Sequence, residues 1–213
     1  MRGLALELWH NQLRLLRPVV SAVRTQYYLR YAQFSGRIIR PLRVILGAGG
    51  TRYPGWVPTD HEFLNITSPA AWARLFRPSS IDRLLCEHVL EHLDEAECLA
   101  ALRLCRRYLR PNGVLRIAVP DGLRDDAQYV AESAPPNHGH RVFFTVNSLG
   151  NMLHAAGLEP EPLEYFDDDG VFHQRDWDPV DGMIMRSARF DKQVEFRRGN
   201  LNYTSLIVDA RLA

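Results

Sequence analysis

Between Leu42 and Val119, short apolar runs alternate with turns and one well-marked amphipathic helix, and this alternation narrows the fold more than any other feature. Leu42 to Leu46 reads as a buried strand that ends in glycines. Trp56 to Asp60 and Phe63 to Ile66 are further short strand candidates, and Ile81 to Cys86 is another, after the loop Arg77-Pro78-Ser79-Ser80. Asp94 with Glu97 three residues on has the pattern of a capping box. It opens a helix whose stripe of Cys98, Leu102, Cys105 and Leu109 faces inward, with Arg103, Arg106 and Arg107 outward. Pro111-Asn112-Gly113 is expected to stop that helix, and Val114 to Val119 is a strand of continuous apolar character. Such runs belong to parallel strands buried on both faces, so the expectation is an α/β fold with a mostly parallel sheet. Further on, Ser148 to Ala156 is predicted as a helix ended by Gly157, and Pro162 to Phe166 as a strand. Asp167 to Asp181 reads as a long acidic loop, and Ser205 to Leu212 as a last strand.

With 213 residues and 46% hydrophobic content, the chain can bury one sizeable core. Its 26 basic and 25 acidic residues leave no whole-chain field to favour nucleic acid or an anionic membrane. Residues 1–40 differ from the rest, carrying seven arginines against one acid, Glu7. Leu6, Trp9, Leu13, Leu16, Val20, Val23 and Tyr27 recur at the spacing of an amphipathic helix, and Pro18 predicts a kink or a second helix. The chain therefore divides into a helical arm, 1–40, and a main domain, 41–213. The arm is read as docked on the domain; a dimer contact, a membrane-surface face and a lid over the acceptor site are the alternatives. No segment reaches the roughly 18 to 20 apolar residues of a membrane span. Glu7, His10 and Arg14 interrupt any signal-peptide core, and Cys86, Cys98 and Cys105 lack disulfide or zinc-ligand spacing. The expectation is a soluble, cytoplasmic protein with reduced thiols.

Gly47-Ala48-Gly49-Gly50, at the end of the first strand, allows a tight turn and close approach to a ligand. A dinucleotide site needs a helix starting straight from such glycines, its N-terminus aimed at the pyrophosphate. Here Thr51-Arg52-Tyr53-Pro54-Gly55-Trp56 intervenes, and only 13 positions separate Gly47 from Asp60. A stunted first crossover suits a ligand with adenosine but no phosphates. That favours S-adenosylmethionine over nicotinamide or flavin dinucleotides, with Asp60 placed to accept from ribose hydroxyls.

Val44-Ile-Leu-Gly-Ala-Gly-Gly50, Pro54-Gly-Trp56 and Cys86-Glu-His-Val-Leu-Glu-His-Leu93 resemble the class I S-adenosylmethionine-dependent methyltransferases. Within them, the small methyltransferases associated with polysaccharide biosynthesis are the most similar group. Arg110-Pro-Asn-Gly113 leading into Leu115-Arg-Ile-Ala-Val-Pro-Asp121 is similar to the turn before their fifth strand. Arg186-Ser187 and Tyr203-Thr-Ser-Leu-Ile-Val-Asp-Ala210 also resemble that group. The resemblance runs from about Pro41 onward and implies a three-layer Rossmann-like fold, with a seven-stranded sheet whose last strand is antiparallel. It places Gly47 and Gly49, within Leu46-Gly47-Ala48-Gly49, under the methionine part of the cofactor. It puts Asp60 at the ribose, Asn65 near the adenine, and Cys86 and Glu87 beside the amino-acid end. Ile45 stands where such proteins often carry an acid, and Thr51 where they carry a third glycine.

Methyl transfer from a sulfonium is an in-line displacement, so the protein must align the acceptor and exclude water. A base is needed only for a hydroxyl or a protonated amine. His88 is the general-base candidate and Asp121, just past the fifth strand, the candidate acceptor-holding residue. His88 and His92 share a helical face, but no third ligand accompanies them, so no metal is expected. Asn137-His138-Gly139-His140-Arg141 is rich in donors and could grip a sugar or phosphate; Tyr129 and Trp177 read as core or stacking surfaces. The function read from the sequence is methyl transfer to a small or glycan-related acceptor. The alternative is a non-catalytic scaffold of the same fold that uses the arginine-rich arm to bind a partner.

Overall fold

The structure is a computed structural model and describes residues 22–23, 25–191 and 205–213. The predicted stripe from Leu6 to Val20 and the break at Pro18 lie outside the described residues. Residues 25–38 form helix α1, which lays Ala32 and Ser35 fully buried against the domain. A Cβ on Gly36 would lie 2.6 Å from the Leu75 carbonyl oxygen, so only glycine permits this approach.

The sheet has seven strands in the order β2-β1-β3-β4-β7-β5-β6. These are β1 Arg43–Leu46, β2 Trp56–Pro58, β3 Ile81–Glu87, β4 Leu109–Val119, β5 Leu158–Phe166, β6 Phe172–Gln174 and β7 Leu206–Leu212. The first four are parallel to one another, whereas β7 runs antiparallel to both β4 and β5, and β6 antiparallel to β5. The helices are α2 Pro69–Leu75, α3 Glu95–Tyr108, α4 Ala127–Ser133, α5 Val146–Ala155 and the short α6 Ala188–Asp191.

The strand count agrees with expectation, but one member is different. Phe63 to Ile66 is not a strand. Its residues turn back on the Asp60 carbonyl, which accepts the N–H groups of Phe63 (3.1 Å) and Leu64 (2.8 Å). Phe63, Leu64 and Ile66 are buried all the same, which explains the strand-like apolar run. Helix α2, unforeseen in the sequence, follows at once, with Ser68 capping it and Pro69 in its first turn, both ordinary start signals. The seventh strand comes instead from the acidic stretch. The Asp167 carboxylate accepts the N–H groups of Asp169 (3.0 Å) and Val171 (2.8 Å), closing a turn that pairs β6 with β5.

Helix α3 carries the capping box as read, Asp94 accepting from the Glu97 N–H at 2.8 Å and Glu97 from the Asp94 N–H at 3.0 Å. It ends at Tyr108, before the proline, and Leu109 already pairs with Ile81. Two residues later in β3, Arg83 pairs with Val114, so Arg110 to Gly113 is an excursion within β4. A Cβ on Gly113 would lie within 3.1 Å of three neighbouring atoms, which is why this bulge needs glycine.

Side chains alternate across the sheet. Val44, Leu46, Leu84, Cys86, Leu115, Ile117, Leu206 and Val208 face the larger core, which α1, α2, α3 and α5 cover. Ile45, Leu85, Ala118 and Ile207 face a smaller one with Trp177, Ile184 and Phe190.

Candidate functional site

Strand order reverses between β1 and β3, so the connections leaving their carboxyl ends part and leave a crevice. Two open clefts meet there, and Gly47 and His88 line both. One, of about 650 Å³, is walled by Asp60, Leu64, Asn65, Ile66, Val89 and Leu93. The other, of about 630 Å³, is bounded by Leu46, Ala48, Thr51, Tyr53, Glu87 and Met185.

The glycine turn sets the shape of both. Gly47 has φ +59° and Gly49 φ +50°, the left-handed region that glycine enters without strain. A Cβ on Gly47 would come within 2.5 Å of Val89 Cγ2, whereas one on Gly49 would meet nothing within 4 Å. Gly47 thus lets the end of β1 touch the turn after β3, and Gly49 leaves an open cradle. The Ala48 N–H donates to the Thr59 carbonyl (2.8 Å), and the Thr59 N–H and hydroxyl both donate to the Ile45 carbonyl (2.9 and 2.7 Å). These bonds hold the chain after β2, and with it Asp60, beside the glycines.

Asp60 Oδ1 accepts the His61 N–H at 2.9 Å. Asn65 Oδ1 takes the N–H and hydroxyl of Thr67 (3.0 and 2.8 Å), leaving the amide NH₂ as a donor. Glu87, at the end of β3, lines the second cleft and accepts the backbone N–H groups of Arg186 and Met185. Burial raises its carboxyl above the ordinary range, against the lowering pull of His88, Arg186 and those two bonds. Burial, with Glu87 nearby, pushes the Tyr53 phenol up to about 12, so it remains a donor at neutral pH.

His88 sits with φ +54°, rare outside glycine, where β3 leaves the sheet. Its Nδ1 lies 3.0 Å from Glu91 Oε1 and its Nε2 3.0 Å from Ser205 Oγ. The order Glu91–His88–Ser205 is that of a proton relay. Ser205 is only 1% exposed, however, so its hydroxyl positions the ring rather than meeting a substrate.

The structure thus brings Leu46, Gly47, Ala48, Asp60, Asn65, Glu87 and His88 to the clefts, with Gly49 in the same turn. Two predicted site residues are elsewhere. Cys86 points into the larger core, where burial pushes its thiol up; β-strand alternation sends it to the face opposite Glu87. Asp121 is fully buried and spends both oxygens on the backbone, Oδ1 on the Leu123 N–H (3.0 Å) and Oδ2 on the Phe166 N–H (2.9 Å). It ties the end of β4 to the end of β5 and cannot hold an acceptor. Arg141 is likewise engaged, with Glu97 at 2.7 Å and Asp94 at 2.9 Å. Trp177 is core: its Nε1–H donates to Glu164 at 2.8 Å, and Tyr129 is buried beneath Arg124. Tyr53, Thr59, Val89, Glu91 and Ser205 were not legible as site residues. Tyr53 lay within an apparent turn, and Ser205 meets His88 across 117 positions of sequence.

The crevice fits an adenosine-bearing ligand with an amino-acid end. Leu64, Ile66, Val89 and Leu93 offer an apolar slot, Asp60 and Asn65 polar contacts beside it, and Glu87 and Tyr53 a polar pair beyond the glycines. No helix of the described residues is long and apolar enough to cross a membrane.

Among solved structures, the chain is similar to the Burkholderia thailandensis 1,6-didemethyltoxoflavin-N1-methyltransferase with bound 1,6-didemethyltoxoflavin and S-adenosylhomocysteine. The two are 16% identical over 100% of this chain and 90% of that one, with a TM-score of 0.46. It is also similar to a SAM dependent methyltransferase from Archaeoglobus fulgidus, at 15% identity over 95% and 97% of the two chains and a TM-score of 0.48. Curated proteins give no match. Residues 52–163, just over half the chain, match the family described as "Methyltransferase domain". The chain belongs to that methyltransferase family.

Proposed function

We propose that the paired clefts at Gly47 and His88 hold S-adenosylmethionine and a small or glycan-related acceptor. The observation that carries this reading is their meeting at the switch point, with a glycine cradle between an apolar slot and a polar one. In this reading Asp60 accepts from ribose hydroxyls, Asn65 donates to the adenine, and Leu64, Ile66 and Val89 pack on its faces. Glu87 takes the ammonium of the amino-acid end, a task for which Ile45 has no charge to offer. The bound cofactor supplies an electrophilic methyl group on a sulfonium.

The chain's own residues orient and exclude water. Tyr53, Met185 and Arg186 wall the cleft beyond Glu87, where an acceptor would enter. With the Glu91 carboxyl oxygen accepting from His88 Nδ1, Nε2 is the ring's acceptor nitrogen and faces Ser205 Oγ. His88 takes an acceptor's proton only if Ser205 gives way; otherwise it positions.

The three thiols, all free and buried, support a reducing, cytoplasmic setting. With 1–40 as an arm on a 41–213 methyltransferase domain, α1 lies over the glycine turn. Arg52 donates to the Tyr28 hydroxyl (3.2 Å) and to the Gly49 carbonyl (3.1 Å). Tyr27, Phe34 and Ile38 are exposed on α1, which suits a dimer or membrane-surface contact there.

Calorimetric titration with S-adenosylhomocysteine tests the site. Micromolar binding, weakened at least about tenfold in Asp60→Ala, is expected. Wild-type affinity in both Asp60→Ala and Glu87→Gln would move the cofactor out of this crevice.

A further inference from the structure

We propose that Glu91, His92 and His140 bind a divalent transition-metal ion of the zinc type, beside the cofactor cleft and independently of the methyl donor. One ligand atom from each lies within 4.8 Å of the others. Tetrahedral zinc with ligands at about 2.0–2.1 Å sets them roughly 3.4 Å apart, a change within reach of small side-chain rotations.

Glu91 supplies the strongest sign. It is 1% exposed, and its Oε2 is buried with no hydrogen-bond partner among the described residues. A buried acceptor left unpaired asks for a partner, and a cation between it and two imidazoles is the one the surroundings provide.

The two histidines are already in the tautomer a metal needs. His140 Nδ1 lies 2.7 Å from the Ser133 carbonyl, and His92 Nδ1 3.3 Å from the Gly139 carbonyl. A carbonyl can only accept, so each Nδ1 carries the proton and each Nε2 presents a lone pair. Glu91 is oriented too, its Oε1 bonded to His88. Every ligand thus has the outer partner that metal-binding side chains usually have.

The frame is fixed as well. The Glu91 carbonyl accepts the N–H groups of Arg141 (2.7 Å) and Val142 (3.2 Å), and Arg141 is clamped on Asp94 and Glu97. The loop bearing His140 is therefore laced to the turn bearing Glu91 and His92. Two imidazoles and one carboxylate favour zinc and its transition-metal neighbours over magnesium or calcium, which prefer all-oxygen shells. His92 is exposed and lines the cleft with Gly47 and Asp60, so a fourth position would face solvent. The sequence placed His88 and His92 on one helical face with no third ligand and no metal expected; in the structure His92 is grouped instead with Glu91 and with His140, 48 positions further on.

The test uses the full chain without a histidine tag, stripped with a chelator and then titrated with Zn²⁺ against a chromophoric competitor. One equivalent should bind, about 100-fold more weakly in His92→Ala, whose side chain is exposed and whose loss should not disturb folding. Glu91→Gln should weaken it similarly, while His154→Ala, a distant exposed histidine, should not. Co²⁺ in place of Zn²⁺ should give a tetrahedral ligand-field spectrum that His92→Ala abolishes. No saturable equivalent in the wild type, or equal affinity in wild type and His92→Ala, would overturn the proposal.

Discussion

Along β3, Leu84 and Leu85 are both fully buried yet meet different company. Leu84 packs into the core beneath α2 and α3, where Trp72 stacks on Tyr108 with ring centroids 5.0 Å apart. Leu85 faces the opposite side, beneath a segment with little regular structure between Arg175 and Phe190. A helix satisfies its own backbone, so a helical cover needs little more than apolar contact. A cover of loops brings carbonyls and N–H groups that have no partners of their own.

The sheet supplies those partners from buried charged side chains. Arg116 forms a two-pronged pair with Asp209 (2.7 and 2.8 Å), and its Nη1 donates to the carbonyls of Asp178 (2.8 Å) and Gly182 (2.7 Å). Its guanidinium also lies 4.8 Å from the centre of the Trp177 ring. Glu164 accepts from Trp177 Nε1 and from the Ala188 N–H (2.7 Å). Glu87 does the same for Met185 and Arg186. One face is thus held mainly by burial and the other by burial plus rivets.

Arg116→Ala breaks the comparison most sharply. It should cost about 3–5 kcal/mol in denaturant unfolding, because Asp209 is left buried and unpaired. Replacing both partners by leucine should recover only part, since the two loop carbonyls still lack a donor. Full recovery would mean that the loop cover does not depend on Arg116.

The next test sharpens it with adjacent leucines. Leu84→Ala should cost about 2–5 kcal/mol, and Leu85→Ala should fall toward the lower end, because a loop can settle into a cavity more readily than packed helices. Equal losses would show the loop cover to be as rigid as the helical one.

The smallest effect is one of pH. The folded chain holds the Glu87 proton more tightly than the unfolded chain does. Its contribution to stability is therefore fully present below the ordinary carboxylate value and is lost as pH rises through the raised value. Asp121 is shifted in the same direction, so the difference between wild type and Glu87→Gln isolates the effect. Hydrogen-exchange protection at Met185 and Arg186, taken relative to the intrinsic rate at each pH, should change across that window in the wild type alone; a Leu84 amide tracking it would refute the assignment to the loop-covered face.

The legible parts of the sequence were those set by neighbours in the chain. Leu42 to Leu46 running into Gly47, and Asp94 paired with Glu97, each carry their own physical reason within a few residues. Phe63 to Ile66 has the apolar run of a strand without being one, because those side chains fill the core while their backbone turns. The glycine side of the crevice was readable for the same local reason. Asp121 and Cys86 were not, because the face and depth of a side chain beyond a strand end depend on what packs there. The meeting of His140 with Glu91 and of Ser205 with His88 is set by the topology as a whole.

The backbone of His88 stores strain. A left-handed conformation at a residue with a Cβ costs on the order of 1–2 kcal/mol, and here it lies at the hinge between β3 and the turn carrying Glu91. The ring's two partners and the bond from its N–H to the Ala118 carbonyl (2.8 Å) keep this spring compressed. The strained backbone and the ring's two hydrogen bonds thus meet at one residue. Glycine there would relax the hinge and remove the ring, while asparagine, which tolerates this conformation, would keep the bend and lose only the imidazole.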